Sequence, residues 1–340
     1  MPLQIAFRSL QRLSALRLIR CRPILPLVFA LLLFPPAAPA QAVSDEVEDV
    51  IRVRTDLVLV PVTVTDSRGR RIIDLEQRDF ALRTDAGKMK LEFFSVGTEQ
   101  VAMAFLLDAS GSARNYLLQQ REAALSLFSR FGSDSEVAVL PFGDRIVGGT
   151  SFTNDIDMAR SSFTFPAVSN RRTAIFDSVM TGLSVFGKHK TPPRVRRIMI
   201  LTSDGLDTSS GAKPRQVIGR ARSEGVSIYV IHFPIFIPID GRLKPRPAAK
   251  GFRDLAEQTG GRYFQVGDAS SALRMDSSPD LTAVFNAIEE DLAGQYLLGF
   301  YPVDESRDGR FHPLQVEIAT NSKRKLKVKT LREGFILKQP

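Results

Sequence analysis

The chain has 340 residues, a net charge of +9, one cysteine and no tryptophan, a length that holds a sizeable core in one large domain or two smaller ones. Arg8, Arg12, Arg17, Arg20 and Arg22 all lie in the first 40 residues; without that segment 41 basic residues face 37 acidic ones, a net charge of +4 that is too weak to argue for nucleic acid. Cys21 leaves with the same segment, which excludes disulfides and thiol chemistry from the remainder.

The arginine-rich opening runs into an apolar stretch of eleven residues, Ile24 to Phe34, too short to span a bilayer and followed by Pro, Ala and Gln up to Ala42. This pattern reads as a secretory signal cut after Ala40 or Ala42. It predicts an exported protein (periplasmic, envelope-bound or secreted) with no membrane span after cleavage. Cys21 precedes the apolar core and so does not match a lipoprotein cysteine. Residues 1–42 are set apart as signal and cleavage region.

Residues 43–98 open with an acidic lead to Asp49 and then take up a period of two. Val58, Val60, Val62 and Val64 alternate ahead of the turn Asp66-Ser67-Arg68-Gly69. Phe80 and Leu82 precede Asp85-Ala86-Gly87, with Met89, Leu91 and Phe93 beyond. Two antiparallel hairpins are expected, with Pro61 marking an edge strand or a bulge.

Residues 99–294 alternate buried strands with amphipathic helices. Strands are expected at Val101 to Leu107, Val137 to Phe142, Arg197 to Leu201, Ser227 to His232 and Arg262 to Val266. Helical spacing follows Ser112 (Leu117, Ala124, Phe128, Phe131), carries Ile175, Val179, Leu183 and Phe186, and is clearest in Leu281, Val284, Phe285, Ile288 and Leu292. The stretch from Phe142 to Arg172 reads as irregular and the Pro-rich run Pro234 to Pro247 as a surface loop. The expected fold is α/β: a Rossmann-like, doubly wound, mostly parallel sheet with helices on both faces and flanking antiparallel β structure.

Residues 295–340 return to period two, with strands at Gln295 to Tyr301, Leu314 to Ile318 and Leu326 to Val328. Joining them to 50–98 in one Ig-like sandwich, with the α/β unit inserted, is the simplest architecture; a separate strand cap is the alternative. The lysine-rich strip from Lys323 to Lys329 reads as the wet face of an edge strand.

The chemistry gathers at strand ends. Asp108, Ser110 and Ser112 lie on the turn after the first buried strand, Asp204 on the turn after Arg197 to Leu201, and Thr173 opens a helix. In open parallel sheets ligands bind at such ends, where strand order reverses. Three hydroxyls and two carboxylates are a hard, all-oxygen donor set that suits Mg2+, Mn2+ or Ca2+ and not zinc or copper. Magnesium keeps several waters, so an exchangeable position remains that an acidic side chain of another protein can take.

Asp108-x-Ser110-x-Ser112, Thr173 and Asp204 resemble the metal-ion-dependent adhesion site of von Willebrand factor A (VWFA) domains at all five positions and in order. The resemblance covers roughly residues 99–294. The flanks Val62-Thr63-Val64-Thr65-Asp66, Asp79-Phe80, Tyr296 to Pro302 and Arg332-Glu333-Gly334-Phe335 are similar to the VWFA-related proteins of acidobacteria, with Phe335 where a Tyr is usual and Asp85-Ala86-Gly87 in place of the usual Asp-Gly pair. What the resemblance implies is metal-dependent binding of a protein that presents an Asp or Glu, without catalysis.

Plainer readings stand beside this one. Asp108, Ser110 and Ser112 suit helix capping, which leaves Thr173 and Asp204 unexplained. Asp144, Asp177 and Asp207 near the same loops suit capping or solvent-facing roles. A Ser-His-Asp hydrolase needs a histidine beside the serine, and only His232 stands at a strand end. G-x-S-x-G, P-loop and G-x-G-x-x-G motifs are absent. A magnesium hydrolase needs a general base, and none is evident. The expectation is an exported adhesion or scaffolding protein; a periplasmic assembly or maturation factor using the same site is the first alternative and a metal-dependent hydrolase the second.

Overall fold

The computed structural model describes residues 57–98, 100–109, 121–164, 172–192, 194–272, 280–319 and 325–337. The expected signal segment, the acidic lead, Ser110, Ser112 and Leu117 lie outside them. In chain order the strands and helices begin with β1 (Val58–Thr65), β2 (Phe80–Thr84), β3 (Gly87–Met89), β4 (Phe93–Val96), β5 (Val101–Asp108), α1 (Arg121–Phe128), β6 (Glu136–Phe142), β7 (Thr150–Thr153), α2 (Ile156–Ser162) and α3 (Ile175–Lys188). They continue with β8 (Arg196–Ser203), α4 (Pro214–Glu224), β9 (Val226–His232), β10 (Phe236–Ile239), β11 (Arg242–Pro245), α5 (Phe252–Glu257), β12 (Tyr263–Gln265), α6 (Ala269–Ala272) and α7 (Thr282–Ala293). The last four strands are β13 (Tyr296–Phe300), β14 (Phe311–Ile318), β15 (Lys327–Thr330) and β16 (Gly334–Ile336).

Every residue of β5 is buried, because the strand has a core on each side. Met103, Phe105 and Leu107 join α1 and α7 in one core; Ala102, Ala104 and Leu106 join α3, α4 and α5 in the other. Each large side chain so buried contributes roughly 1.5–3 kcal/mol. The sheet runs β12-β9-β8-β5-β6-β7, parallel throughout except for β7 against β6. The chain leaves β5 for β6 on one side and later returns to β8 on the other. Strand order therefore reverses between β5 and β8, and the carboxyl ends there are Asp108 and Ser203-Asp204.

Two stretches differ from expectation inside this layer. The supposedly irregular run after Phe142 contains β7 and α2, the latter capped by Asp155, whose carboxylate accepts the amides of Asp157 and Met158. The Pro-rich run is a two-stranded hairpin, β10–β11, turned by Asp240 and Gly241 at φ 52° and 72°. An Asp-Gly pair at positive φ is the twist-matched hairpin turn, and the flanking prolines hid it. Helix α4 also escaped the sequence pattern, since it buries only Val217, Ile218 and Ala221; Pro214 starts it and Gly225, at φ 68°, stops it.

The flanking β structure is two four-stranded antiparallel sheets, β15-β1-β13-β4 and β16-β14-β2-β3, each mixing strands from before and after the α/β layer. Val58, Val60, Val62 and Val64 pack with Phe80, Leu82, Tyr296, Leu298, Phe300, Val316 and Phe335. The second expected hairpin forms as β2–β3. The first does not: the turn Asp66 to Arg70 closes, but β1 pairs with β13 and β15 instead of a following strand. Nor is Pro61 on an edge. Its carbonyl accepts Leu331 N at 2.9 Å, so its missing N–H faces the place where β15 has ended.

The Arg332-Glu333-Gly334-Phe335 motif joins the two parts. Arg332 Nε, Nη1 and Nη2 donate to Gly334 O, Leu59 O and Ser223 O, the last at the end of α4, and Glu333 meets Arg222 at 2.7 Å. A Cβ at Gly334 would lie 2.3 Å from His312 O, so no larger residue fits there. Phe335 stacks on His312, whose Nδ1 and Nε2 meet Asp85 at 2.8 Å and Asp308 at 3.0 Å. Burial opposes protonation of His312, but hydrogen bonds to the two carboxylates outweigh it and hold its pKa above the ordinary 6.5. Arg310 also faces Asp308. A pKa raised in the folded state gives stability that is complete at low pH and lost as pH rises through that pKa. Stability of the wild type against heat should therefore fall as pH rises above the ordinary histidine value of about 6.5, and His312→Gln should flatten the profile; equal slopes would show that the contacts make no such contribution.

Candidate metal centre

Three loops meet at the carboxyl ends of β5, β6 and β8. Asp108 closes β5 fully buried, and its Oδ2 accepts the Ser203 hydroxyl at 2.6 Å from the neighbouring strand. Ala109 N reaches across to Phe142 O at 2.7 Å; Ser110 and Ser112, the other two expected ligands, lie outside the described residues. Asp204 is 8% exposed; its Oδ1 accepts Leu206 N at 2.9 Å, and Gly205 N donates to Ser203 Oγ at 3.1 Å. Gly205 sits at φ 79°, and a Cβ there would come within 2.8 Å of the Ala248 methyl. The sharp turn after Asp204 thus needs glycine for both conformation and space.

Thr173 is 5% exposed and is bound to the Asp204 loop through its backbone. Its N donates to Thr208 Oγ1 at 2.9 Å, and its carbonyl accepts Thr208 N and Ser209 N at 2.8 and 3.2 Å. Ala174 N donates to Gly143 O at 2.8 Å, which ties the same residues to the loop after β6. The cap of α3 is not Thr173. Asp207 accepts Ile175 N, and Ser210 Oγ accepts Phe176 N and Asp177 N, so side chains from the Asp204 loop satisfy the helix's first amides. In return Asp177 accepts Gly211 N and Ala212 N at 2.9 and 2.7 Å. Asp177 and Asp207 therefore lace the start of α3 to the Asp204 loop, and Asp144 is exposed on the loop after β6.

His232, at the end of β9, sets the remaining wall. Its Nε2 lies 2.9 Å from Asp204 O and its Nδ1 against Tyr263 OH. Burial pushes the imidazole pKa down, against the pull of the Asp204 carbonyl. The ring is accordingly neutral at pH 7, with Nε2–H donating to the carbonyl and Nδ1 accepting from the tyrosine. Sequence reading missed Ser203, Thr208, Ser210 and His232 as supports. Ser203 carried a signal as the hydroxyl directly before Asp204, and His232 as the histidine at a strand end, weighed there only for hydrolysis.

Among the described residues no three His, Cys, Asp or Glu side chains gather around one point. A nitrogen- or sulfur-rich metal site is thereby absent from them. Asp108 and Asp204 are carboxylates at adjoining strand ends, 0% and 8% exposed, and Thr173 beside the Asp204 loop is 5% exposed, an all-oxygen set of residue types. The donor chemistry fits a hard divalent ion.

The von Willebrand factor type A domain model matches residues 102–277. The chain belongs to this family. Among solved structures, the VWFA layer is similar to BatB from Bacteroides thetaiotaomicron, at 16% identity over 57% of this chain and 97% of that one, with a TM-score of 0.42. It is also similar to an aerotolerance-related membrane protein from Bacteroides fragilis, at 18% identity over 56% and 98%, with a TM-score of 0.41. Proximal thread matrix protein 1 from the mussel byssus, with a zinc-occupied MIDAS motif, matches at 15% identity over 58% and 49%, with a TM-score of 0.44. No curated protein matches the chain.

Proposed function

We propose that this is an exported VWFA protein that captures an acidic side chain of a protein partner through a divalent cation held by Asp108, Ser110, Ser112, Thr173 and Asp204. What supports the reading is that Asp108 and Asp204, both buried, end neighbouring strands bridged by the Ser203 hydroxyl, while the backbone of Thr173 and the first turn of α3 are bound to the Asp204 loop through Thr208, Asp207 and Ser210. Such lacing fixes donors in place before a ligand arrives, which lowers the ordering cost of binding. The cation would supply an electrophilic position that water holds until a carboxylate replaces it. Both nitrogens of His232 are already engaged, by Asp204 O and Tyr263 OH, which favours binding over hydrolysis. Export rests on the basic and apolar leader and the small residues that end it. No helix among the described residues is long and apolar enough to cross a membrane.

Thermal unfolding of residues 43–340 with and without Mg2+, Mn2+ or Ca2+ tests the reading. At a hundredfold excess over its dissociation constant a cation should stabilise by about 2.7 kcal/mol, which raises the midpoint by several degrees. Absence of a shift with all three ions would contradict the assigned donors.

A further inference from the structure

A basic arm lies beside the turn at Asp204. From Arg242 to Arg253 the chain carries Arg242, Lys244, Arg246, Lys250 and Arg253 and no acidic residue. This segment holds the second strand of the β10–β11 hairpin and the start of α5, and it rests directly on the turn at Asp204. Ala249 N donates to Gly205 O at 2.8 Å, and the Ala248 methyl fills the space over Gly205. Alongside opens a cavity of about 290 Å3 whose walls include Arg246, Arg253, Tyr263, Gln265 and His232. The same His232 bonds Asp204 O, and the Arg253 guanidinium lies 4.1 Å over the Tyr263 ring.

The charge here is only partly neutralised within the chain. Lys244 meets Asp240 at 3.4 Å and Arg253 meets Glu257 at 3.6 Å, both pairs at the surface, and Asp254 also faces the cavity. Among the described residues Arg242, Arg246 and Lys250 make no ion pair, and all three are exposed. Unpaired cations at the rim of a binding face attract acidic ligands and select against basic ones.

We propose that this basic arm is a second contact surface for the partner: it reads further acidic side chains on the segment whose Asp or Glu meets the cation. The inference rests on the metal-dependent reading above and narrows the partner from one carboxylate to an acid-rich segment. A protein segment fits better than a sulfated or phosphorylated polymer, because the arm's cations alternate with Pro245, Pro247 and Ala248 beside a tyrosine ring, a surface that offers apolar contact as well as charge.

The test uses two labelled peptides, one with a single Asp followed by three Glu and one with Gln in place of each Glu, titrated by fluorescence anisotropy in Mg2+. Wild type should bind the Glu peptide about tenfold more tightly at low salt, with the preference shrinking as ionic strength rises. Arg246→Glu combined with Arg253→Glu should erase the preference while leaving the cation-induced thermal shift intact; both positions are exposed, and circular dichroism checks the fold. Asp108→Asn should remove the Mg2+ dependence for both peptides and leave the Glu preference standing. Equal affinity for the two peptides, no binding of either at about millimolar concentration, or a preference that survives in the double variant overturns the proposal. So does binding of heparin without discrimination between the peptides, which assigns the arm to polyanions. A Glu preference that needs the two arginines but not Mg2+ retains the arm and sinks the metal-dependent reading instead.

Discussion

Asp108→Asn is expected to remain folded while losing cation affinity by about a hundredfold or more, equivalent to roughly 2.7 kcal/mol of binding free energy. Asparagine has the shape of aspartate, and its amide oxygen can still accept the Ser203 hydroxyl that Oδ2 accepts at 2.6 Å. What disappears is one of the two negative charges that a hard divalent ion needs from this site. Asp108→Ala is a poorer test, because it leaves the Ser203 hydroxyl, buried at the end of β8, without that acceptor and costs about 1–3 kcal/mol of stability on its own account. Circular dichroism and calorimetric titration with Mn2+ separate the two effects. An unfolded Asn variant would make Asp108 a structural residue; an undiminished affinity would move the cation elsewhere.

The second large effect concerns stability. Asp291, 2% exposed on α7, accepts Tyr229 OH and Gln295 Nε2 at 2.7 Å each and pairs with Arg71, whose Nη1 also donates to the Asp291 carbonyl at 2.8 Å. Arg196, 3% exposed on β8, is held in the same region, where burial pulls its pKa down and Tyr229 and Asp291 pull it up. Burial and the Asp291 charge together push the Tyr229 phenol above its ordinary range, so it stays a donor. Asp291→Asn leaves two guanidinium groups facing no carboxylate, and breaking a buried ion pair on one side costs about 3–5 kcal/mol. At roughly 2–4 °C per kcal/mol the midpoint should fall by about 10 °C in calorimetry. Arg71 belongs to the β-sandwich and Asp291 to the α/β layer, so the loss should extend to both parts. A change below about 1 kcal/mol would mean that water serves the arginines equally well.

What the sequence made legible followed from burial. The run Val101 to Leu107 had to be a strand with a core on each face, and the Leu281 to Leu292 stripe had to be a helix on one face, because single-residue patterning records both. Asp108 and Asp204 could be placed at strand ends for the same reason. Patterning says nothing about partners far apart in the chain. Ser203 reaches Asp108 across 95 residues and Thr208 reaches Thr173 across 35, and neither contact leaves a local trace. The missed hairpin β10–β11 had its Asp240-Gly241 signal in plain view, overruled by the surrounding prolines. The misread first hairpin shows the reverse: a turn-forming sequence at Asp66 to Gly69 closes as expected, while the strand before it finds its partners in β13 and β15, more than 200 residues later. That pairing is set by the Val58 to Val64 face meeting Tyr296, Leu298 and Phe300, a tertiary choice that local turn chemistry does not encode.

The most direct test of metal-bridged partner capture is water-proton relaxation in a Mn2+ titration of the wild-type protein, followed by addition of the acidic peptide. The expected result is an enhanced relaxation rate that saturates at one Mn2+ per chain, is absent in Asp108→Asn, and falls when the peptide's carboxylate displaces the bound water. No enhancement in the wild type, or an enhancement that the peptide leaves unchanged, would contradict capture through the cation.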